Sequence, residues 1–314
     1  VRVARPGIAV LTALLVAVAV PMLTGLVGRP AAVAGAMLMA FDPWLVAHGR
    51  LLHLDAALAG LMTLSALALL VALSRHRRRY ALLSGALAGA ALLEKSPAAA
   101  LLPFAVLAVA VWAWRPGLSP HAPEPRRALA AAAGMLAPWA FGAGAAFVAL
   151  WPAMWARPGP TLARLWEYAA GSADGGREAV FWWGGVQPDP GVGLYLTALA
   201  WRLTPLALVG LVAATAWLAG RRRGAATTAG VRAACLGLLA FAALFVAFMG
   251  SSGKKFERYV LPVVPAADIV AGVGLTVLAG GVARRTRGGG RPTAADRRGT
   301  DRRATHAPIG ASPS

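Results

Sequence analysis

The stretch that decides the fold reads AALAGLMTLSALALLVAL at 56–73 and continues directly into SRHRRR at 74–79. The first run carries no charged residue and is long enough for one membrane crossing, which takes roughly 17–25 apolar residues. The second run places four arginines at its end: Arg75, Arg77, Arg78 and Arg79. We therefore expect a transmembrane helix that ends at a basic junction.

The composition of the whole chain also requires a membrane. Of its 314 residues, 58% are hydrophobic and only 14% are charged, which is more apolar surface than one soluble core of this length can hide. The apolar runs are continuous and do not alternate with polar residues, so we expect no β-barrel. The sequence predicts an all-α, polytopic membrane protein with about nine helices. Its segments lie near 8–27, 31–47, 56–73, 80–94, 97–114, 129–150, 194–219, 231–249 and 259–281.

The net charge of +19 arises mostly from arginine runs in short junctions and in the tail. Lys and Arg concentrate in cytoplasmic loops of membrane proteins, so topology explains the charge and we expect no nucleic-acid partner. The junctions at 75–79, 115–127 and 221–232 are assigned to the cytoplasm, and the alternate junctions to the outside of a bacterial cell membrane. We expect one transmembrane domain at 1–283 with an outer loop at 151–192, followed by a disordered, basic cytoplasmic tail at 284–314.

This topology places residue 1 outside the cell, and the chain begins with Val. The sequence thus predicts that at least one upstream transmembrane helix is missing. The alternative takes Arg2 and Arg5 as the cytoplasmic flank of a signal anchor, and it requires one segment to be miscounted.

The first outer junction carries His48, Arg50, His53 and Asp55. Ionised side chains are costly inside a bilayer, so these residues are expected at a helix end or in a wet cavity. Arg50 and Asp55 are candidates for a structural ion pair. A metal site built from His48, His53 and Asp55 is the alternative, although the spacing matches no strong ligand pattern.

Two further outer junctions combine cations with helix starts. In the first, Glu94 and Lys95 precede Ser96 and Pro97, which fit an N-cap and a first helical position. A helix N-terminus beside a lysine suits a phosphate, whereas a self-satisfied Glu94–Lys95 pair is the structural alternative. The second junction has the sequence KKFERY and holds Lys254, Lys255, Arg258 and Tyr259. These three cations fit a lipid-borne phosphate, with pairing to Glu257 or interfacial snorkelling as the alternatives.

The long outer loop is rich in aromatic residues and exceeds the usual length of a connector. Leu162, Leu165, Trp166 and Ala169 share one helical face, which predicts a short helix lying on the membrane. The loop can cap a cavity, and its carboxylates are candidates for contact with a polar substrate: Asp174, Glu178 and Asp189. After the loop, Thr204 and Pro205 fit another helix cap and start.

Four motifs in this order resemble the GT-C fold glycosyltransferases of family 39, which include protein O-mannosyltransferases and lipid A aminoarabinose transferases. Pro43 followed by Arg50-x4-Asp55 is similar to the first, and Gly85…Gly89…LEKSP at 93–97 to the second. The third runs from Gly184 to Pro205, and KKFERYVLP at 254–262 resembles the family's Lys-Lys-Phe-Asp-Arg-Tyr-x-x-Pro signature.

The resemblance implies a sugar donor on polyprenyl phosphate, transfer outside the cytoplasm with inversion at the anomeric carbon, and a lipid, glycan or protein acceptor. The residues it implicates in binding substrate or lipid phosphate are Arg50, His53, Asp55, Glu94, Lys95, Lys254, Lys255, Arg258 and Tyr259. The family's acidic residue in the first outer loop has no counterpart here, so the catalytic residue is unassigned and Asp55 is the best candidate within the chain. Glu94 departs from the family's usual Thr.

No tightly bound metal or cofactor is expected, although a divalent cation bridging the substrate phosphate and Asp55 or Glu94 stays open. Two other functions also stay open. One is a catalytically inactive scaffold subunit, which the absent first loop allows. The other is a transporter or flippase of lipid-linked substrates, which would want more polar residues in the membrane than these helices carry.

Overall fold

The computed structural model describes residues 4–51, 53–114, 123–174, 179–220 and 226–288. The described residues fall into two units, 1–276 and 277–314, and the described part of the second is the last stretch of one helix. The α-helices are α1 Ala4–Val27, α2 Arg29–Phe41, α3 Pro43–Gly49, α4 Leu54–Arg75, α5 Arg78–Glu94, α6 Leu101–Trp114, α7 Ala128–Ala149, α8 Pro152–Ala156, α9 Pro158–Asp174, α10 Gly193–Arg202, α11 Pro205–Ala219, α12 Ala226–Gly250 and α13 Val264–Gly288. Two strands, β1 Val180–Trp182 and β2 Gly185–Gln187, complete these elements.

The prediction of a polytopic helical membrane protein is confirmed. Within the described ranges, six helical stretches are long and apolar enough to cross a membrane, and two bent helix pairs raise this number to at most eight. Helix α5 has 17 residues and starts two residues before the predicted segment 80–94. Helix α13 continues through Gly288, so residues 284–288 are helical. The remainder of the predicted tail, 289–314, lies outside the described residues.

Two of the predicted segments are broken, which the apolar pattern did not indicate. Segment 31–47 bends by 56° between α2 and α3, and segment 194–219 bends by 114° between α10 and α11. Each bend has a capping residue followed by proline. The Asp42 side chain accepts a hydrogen bond from the Leu45 amide at 2.7 Å, and Thr204 accepts one from the Ala207 amide at 3.2 Å. A side chain that caps a new helix competes with continuation of the previous one, and proline favours the first helical turn.

Helices α4, α5 and α7 form the best-packed part of the fold. A Cβ atom at Gly85 would clash with the backbone carbonyl of Trp139, so α5 and α7 touch through their backbones. Across the same contact, the hydroxyls of Ser65 and Ser84 each donate to the other's backbone carbonyl, and the Trp139 indole donates to Ser84 Oγ at 3.1 Å. This buried network joins three helices and satisfies its polar groups internally. It holds the middle of α4 and the first half of α5 together.

The described parts of the loop at 151–192 contain more secondary structure than the sequence predicted. Helix α9 contains the expected short helix, and the exposed side chains of Leu162, Leu165 and Trp166 lie on it. The antiparallel hairpin of β1 and β2 was not predicted. Its two-residue turn, Trp183-Gly184, has positive φ at both positions, 51° and 78°, as a type I′ turn requires. Trp is a rare residue in such a turn, so this hairpin has no clear turn signal in the sequence.

Candidate active site

Asp55 lies at the centre of the candidate site. It belongs to the first turn of α4 and is 1% exposed. Three groups contact its carboxylate: Lys95 Nζ lies 2.7 Å from Oδ1, His53 Nδ1 lies 3.0 Å from Oδ2, and Arg258 Nε lies 3.7 Å from Oδ2. A buried carboxylate needs such partners, because an unpaired ion in this position would be strongly destabilising.

Lys95 follows the last residue of α5 in extended conformation. Its ammonium donates to Asp55 and lies 4.2 Å from the centre of the Tyr259 ring, over its face. The alternative of a self-satisfied Glu94–Lys95 pair is therefore not what the structure contains, since the described carboxylate that pairs with Lys95 is Asp55. Ser96 begins a 3-10 turn at 96–100 and does not act as a side-chain cap, so the predicted helix start was wrong by one residue.

Arg258 and Tyr259 belong to a 3-10 segment, Glu257–Val263, that leads into α13. The Arg258 guanidinium stacks near Phe256 and Tyr259, with its carbon 4.8 Å and 5.8 Å from the two ring centres. Its Nε atom, His53 Nδ1 and Asp55 Oδ2 are buried and lie within ion-pair distance without hydrogen-bond geometry. Each of these three polar atoms can therefore still form a hydrogen bond, and all three lie close together beside Asp55.

Lys255 forms contacts within the protein that the sequence did not predict. It is 4% exposed, donates to the backbone carbonyl of Ser252 at 2.6 Å, and lies 3.0 Å from Asp189 Oδ1. The same Asp189 oxygen accepts the Gly191 amide at 2.9 Å. Lys255 therefore fastens the outer loop to the segment that carries Arg258. Lys254 is half-buried beside it.

A second ion pair was missed in the sequence analysis. Arg202, the last residue of α10, contacts Glu257 Oε1 at 2.6 Å and lies over the Trp44 ring. Both charged side chains are about half exposed, so the pair contributes little stability. It nevertheless ties the bend between α10 and α11 to the segment at 257–263. No local pattern could have revealed it, because the partners are far apart in the sequence.

The remaining predicted residues lie outside this cluster of contacts. Arg50 is exposed at the end of α3 and forms no ion pair with Asp55, and Glu94 is half-buried. A ring nitrogen of His48 lies 3.0 Å from the Trp44 carbonyl oxygen. Among the described residues, no group of three or more metal-ligating side chains is placed to hold an ion. Glu178 and the Asp174 side chain lie outside what the structure describes.

Asp55 is also poorly suited to a bridging divalent cation. Both of its oxygens already face cationic or polar nitrogen groups, and Lys95 and Arg258 would repel a metal ion. The expectation that no cofactor is tightly bound stays a prediction.

The electrostatic balance of the site is positive. Five Lys and Arg side chains face three carboxylates. The cations are Lys95, Arg202, Lys254, Lys255 and Arg258, and the carboxylates are Asp55, Asp189 and Glu257. The chain has three lysines in total, and all three belong to this site. Such an arrangement can take up an anion.

Comparison with known proteins agrees with the motifs. The sequence model of the family described as dolichyl-phosphate-mannose-protein mannosyltransferase matches residues 2–141. The crystal structure of ArnT from Cupriavidus metallidurans, bound to undecaprenyl phosphate, superposes with a TM-score of 0.55 at 20% identity. This match covers 87% of the present chain and 46% of ArnT, so the chain spans about half the length of that protein. No curated protein matches the chain in sequence. The resemblance to GT-C glycosyltransferases and the GT-C-like fold are thereby confirmed.

Proposed function

We propose that this chain is part of, or constitutes, a membrane glycosyltransferase that takes a sugar from a polyprenyl-phosphate carrier and transfers it to an acceptor outside the cytoplasm. The observation that carries this proposal is the convergence of Lys95 and Arg258 on Asp55. The two cations come from the end of α5 and the start of the segment before α13, so the fold itself brings them together.

Lys95 and Arg258 are the groups we assign to the carrier's phosphate. Phosphate offers several acceptor oxygens and more negative charge than one carboxylate, so it can replace or join Asp55 between the two cations. Tyr259 lies beside Lys95 and shields one side of that ammonium from water. The exposed apolar side chains of the spanning helices provide a lipid-facing surface on which a polyprenyl tail can lie.

The same two cations suit the chemistry of transfer. The bond between the anomeric carbon and the phosphate oxygen breaks, the acceptor's hydroxyl oxygen forms the new bond, and its proton passes to a base. The phosphate keeps the electron pair of the broken bond, so negative charge grows where Lys95 and Arg258 lie. Cations that are already in place stabilise such charge without reorganisation.

Asp55 acts in this proposal as a positioning residue. Its side chain is 2% exposed and is engaged by Lys95 and Arg258, so it has little access to an acceptor hydroxyl. Its role is to hold the two cations together when no phosphate is bound. The base is not assigned to a residue of this chain.

Direct binding of undecaprenyl phosphate to the purified chain in detergent tests the proposal. Each charge-assisted hydrogen bond contributes about 1.5–3 kcal/mol, so Lys95→Ala and Arg258→Ala should each weaken binding by roughly ten- to a hundredfold. The control is Arg126→Ala, which removes an exposed cation that forms no ion pair with the carboxylates of the site and should leave the affinity unchanged. Equal affinities of all four proteins would refute the assignment.

A further inference from the structure

A second cluster of cations lies at the turn between α4 and α5. Ser74, Arg75, His76, Arg77 and Arg79 line a cleft of about 420 Å³, which we call the arginine cleft. Asp55 and the arginine cleft lie at opposite ends of α4, a helix of 22 residues or about 33 Å. The arginine cleft is therefore separate from the site proposed above.

Three side chains of the arginine cleft are restrained by packing contacts, two of them with neighbouring helices. Arg75 lies against Gly25 of α1 so closely that a Cβ atom at Gly25 would clash with its guanidinium. The His76 ring packs edge-on against Trp112 of α6, with 5.0 Å between ring centres. Arg79 lies over the Tyr80 ring at 5.1 Å. These contacts restrict the cations before any ligand binds, which lowers the ordering cost of binding.

The arginine cleft differs from the Asp55 site in how its charge is compensated. Among the described residues, Lys95, Lys255 and Arg258 form ion pairs with carboxylates, whereas Arg75, Arg77 and Arg79 form none. Three guanidinium groups around one cleft repel one another unless an anion lies between them. Guanidinium groups and a serine hydroxyl are suited to phosphate oxygens.

The position of the cleft indicates where that phosphate comes from. Arg75 is the last residue of a candidate membrane span, and the other arginines follow within four residues. They therefore lie at the depth of lipid headgroups, where basic side chains next to a transmembrane helix meet anionic lipid. We propose that the arginine cleft binds the phosphate group of an anionic membrane lipid, at the end of the molecule opposite Asp55.

Lipid binding by the purified full-length chain tests this proposal. The probes are short-chain phosphatidylglycerol, short-chain phosphatidylcholine and inorganic phosphate, each titrated into the protein in a non-ionic detergent. We expect phosphatidylglycerol to bind at least tenfold more tightly than either of the others. Binding of inorganic phosphate as tight as that of phosphatidylglycerol would show a soluble anion as the ligand and would overturn the lipid assignment.

The double variant Arg77→Gln/Arg79→Gln locates the binding. Both side chains are exposed, so folding should survive, and the affinity for phosphatidylglycerol should fall at least tenfold. The matched control is Arg126→Gln/Arg127→Gln, which removes the same charge from another exposed arginine pair that does not line the cleft. If both double variants lose affinity equally, binding reflects surface charge in general, and the cleft is not a site. If only the control loses it, the cleft is likewise excluded.

Discussion

At the scale of single residues, the site depends on a competition for Lys95 and Arg258. In the ligand-free chain the Asp55 carboxylate lies between the two cations and offsets part of their charge. A bound phosphate must share or displace it, because the two anions repel each other in a poorly hydrated site. Asp55 therefore stabilises the empty protein and opposes ligand binding at the same time.

The substitution Asp55→Asn separates these two effects. It should lower the stability of the ligand-free chain by about 1–3 kcal/mol, at the lower end of the range for broken buried pairs because Lys95 and Arg258 are partly exposed. It should also increase the stabilisation that undecaprenyl phosphate provides, since the competing carboxylate is gone. Thermal unfolding with and without the lipid measures both quantities. A variant that is destabilised and gains less from the lipid than the parent chain would contradict this competition.

Sequence reasoning predicted part of this site. Lys95 and Arg258 were each predicted to bind a phosphate beside a helix start, and both contact the same carboxylate in the structure. The sequence could not show that Lys95 pairs with Asp55 or that Lys255 pairs with Asp189. Nothing in a local pattern links residues that lie far apart in the sequence. Arg50 seemed the natural partner of Asp55 only because it is near in sequence.

At the scale of the elements, close contact between α5 and α7 positions Lys95. The glycines at 85 and 89 were recognised as parts of a family motif, and the structure gives them a packing role. Gly85 contacts Trp139, and Gly89 contacts Ala143, in each case at the backbone carbonyl. Small residues let helix backbones approach within a membrane. Displacement of α5 would move Lys95 away from Asp55.

We expect Gly85→Ala to destabilise the protein by about 1–3 kcal/mol, as is usual when a methyl group is forced into a packed interior. Gly144→Ala is the matched control, because a Cβ atom at Gly144 on α7 meets no atom within 4 Å. That change should be neutral or slightly stabilising, since alanine favours helix over glycine. The midpoint of thermal unfolding in detergent compares the two variants. Similar effects of both would show that the contact at Gly85 is unimportant.

Helices were easier to predict than breaks between them. Continuous apolar runs predicted the segments that contain the long apolar helices, because burial in a bilayer requires such runs. The bends at Asp42 and Leu203 depend on a capping side chain and a proline within an otherwise apolar run. The hydrophobic pattern alone does not indicate such bends. The hairpin at 180–187 was missed because its strands are three residues each and its turn contains Trp183.

At the scale of the whole molecule, the two ends of helix α4 lie in chemically different surroundings. Helix α4 starts at the Asp55 site and ends at the arginine cleft, and α5 runs back from Arg78 to Lys95. The concentration of arginine at one end predicts that this end faces the cytoplasm. The candidate active site then faces the outside of the cell.

Cysteine labelling in intact cells tests this orientation. In a Cys235→Ala background, Trp183→Cys should react with an impermeant maleimide, because Trp183 is 77% exposed on the hairpin. Arg79→Cys, at the opposite end of the molecule from Lys95, should react only after the cells are lysed. Labelling of position 79 together with protection of position 183 would reverse the orientation.

The most direct measurement of the central claim is nuclear magnetic resonance of 15N-lysine-labelled protein with undecaprenyl phosphate in a phosphorus-free detergent. Because the chain has only three lysines, recoupling of 31P to lysine Nζ reports on Lys95, Lys254 and Lys255 alone. We predict that the lipid phosphorus dephases the Nζ signal of one lysine. We also predict that this dephasing is absent in Lys95→Gln. Dephasing that persists unchanged in Lys95→Gln would show that the phosphate does not contact Lys95 and would contradict the proposed site.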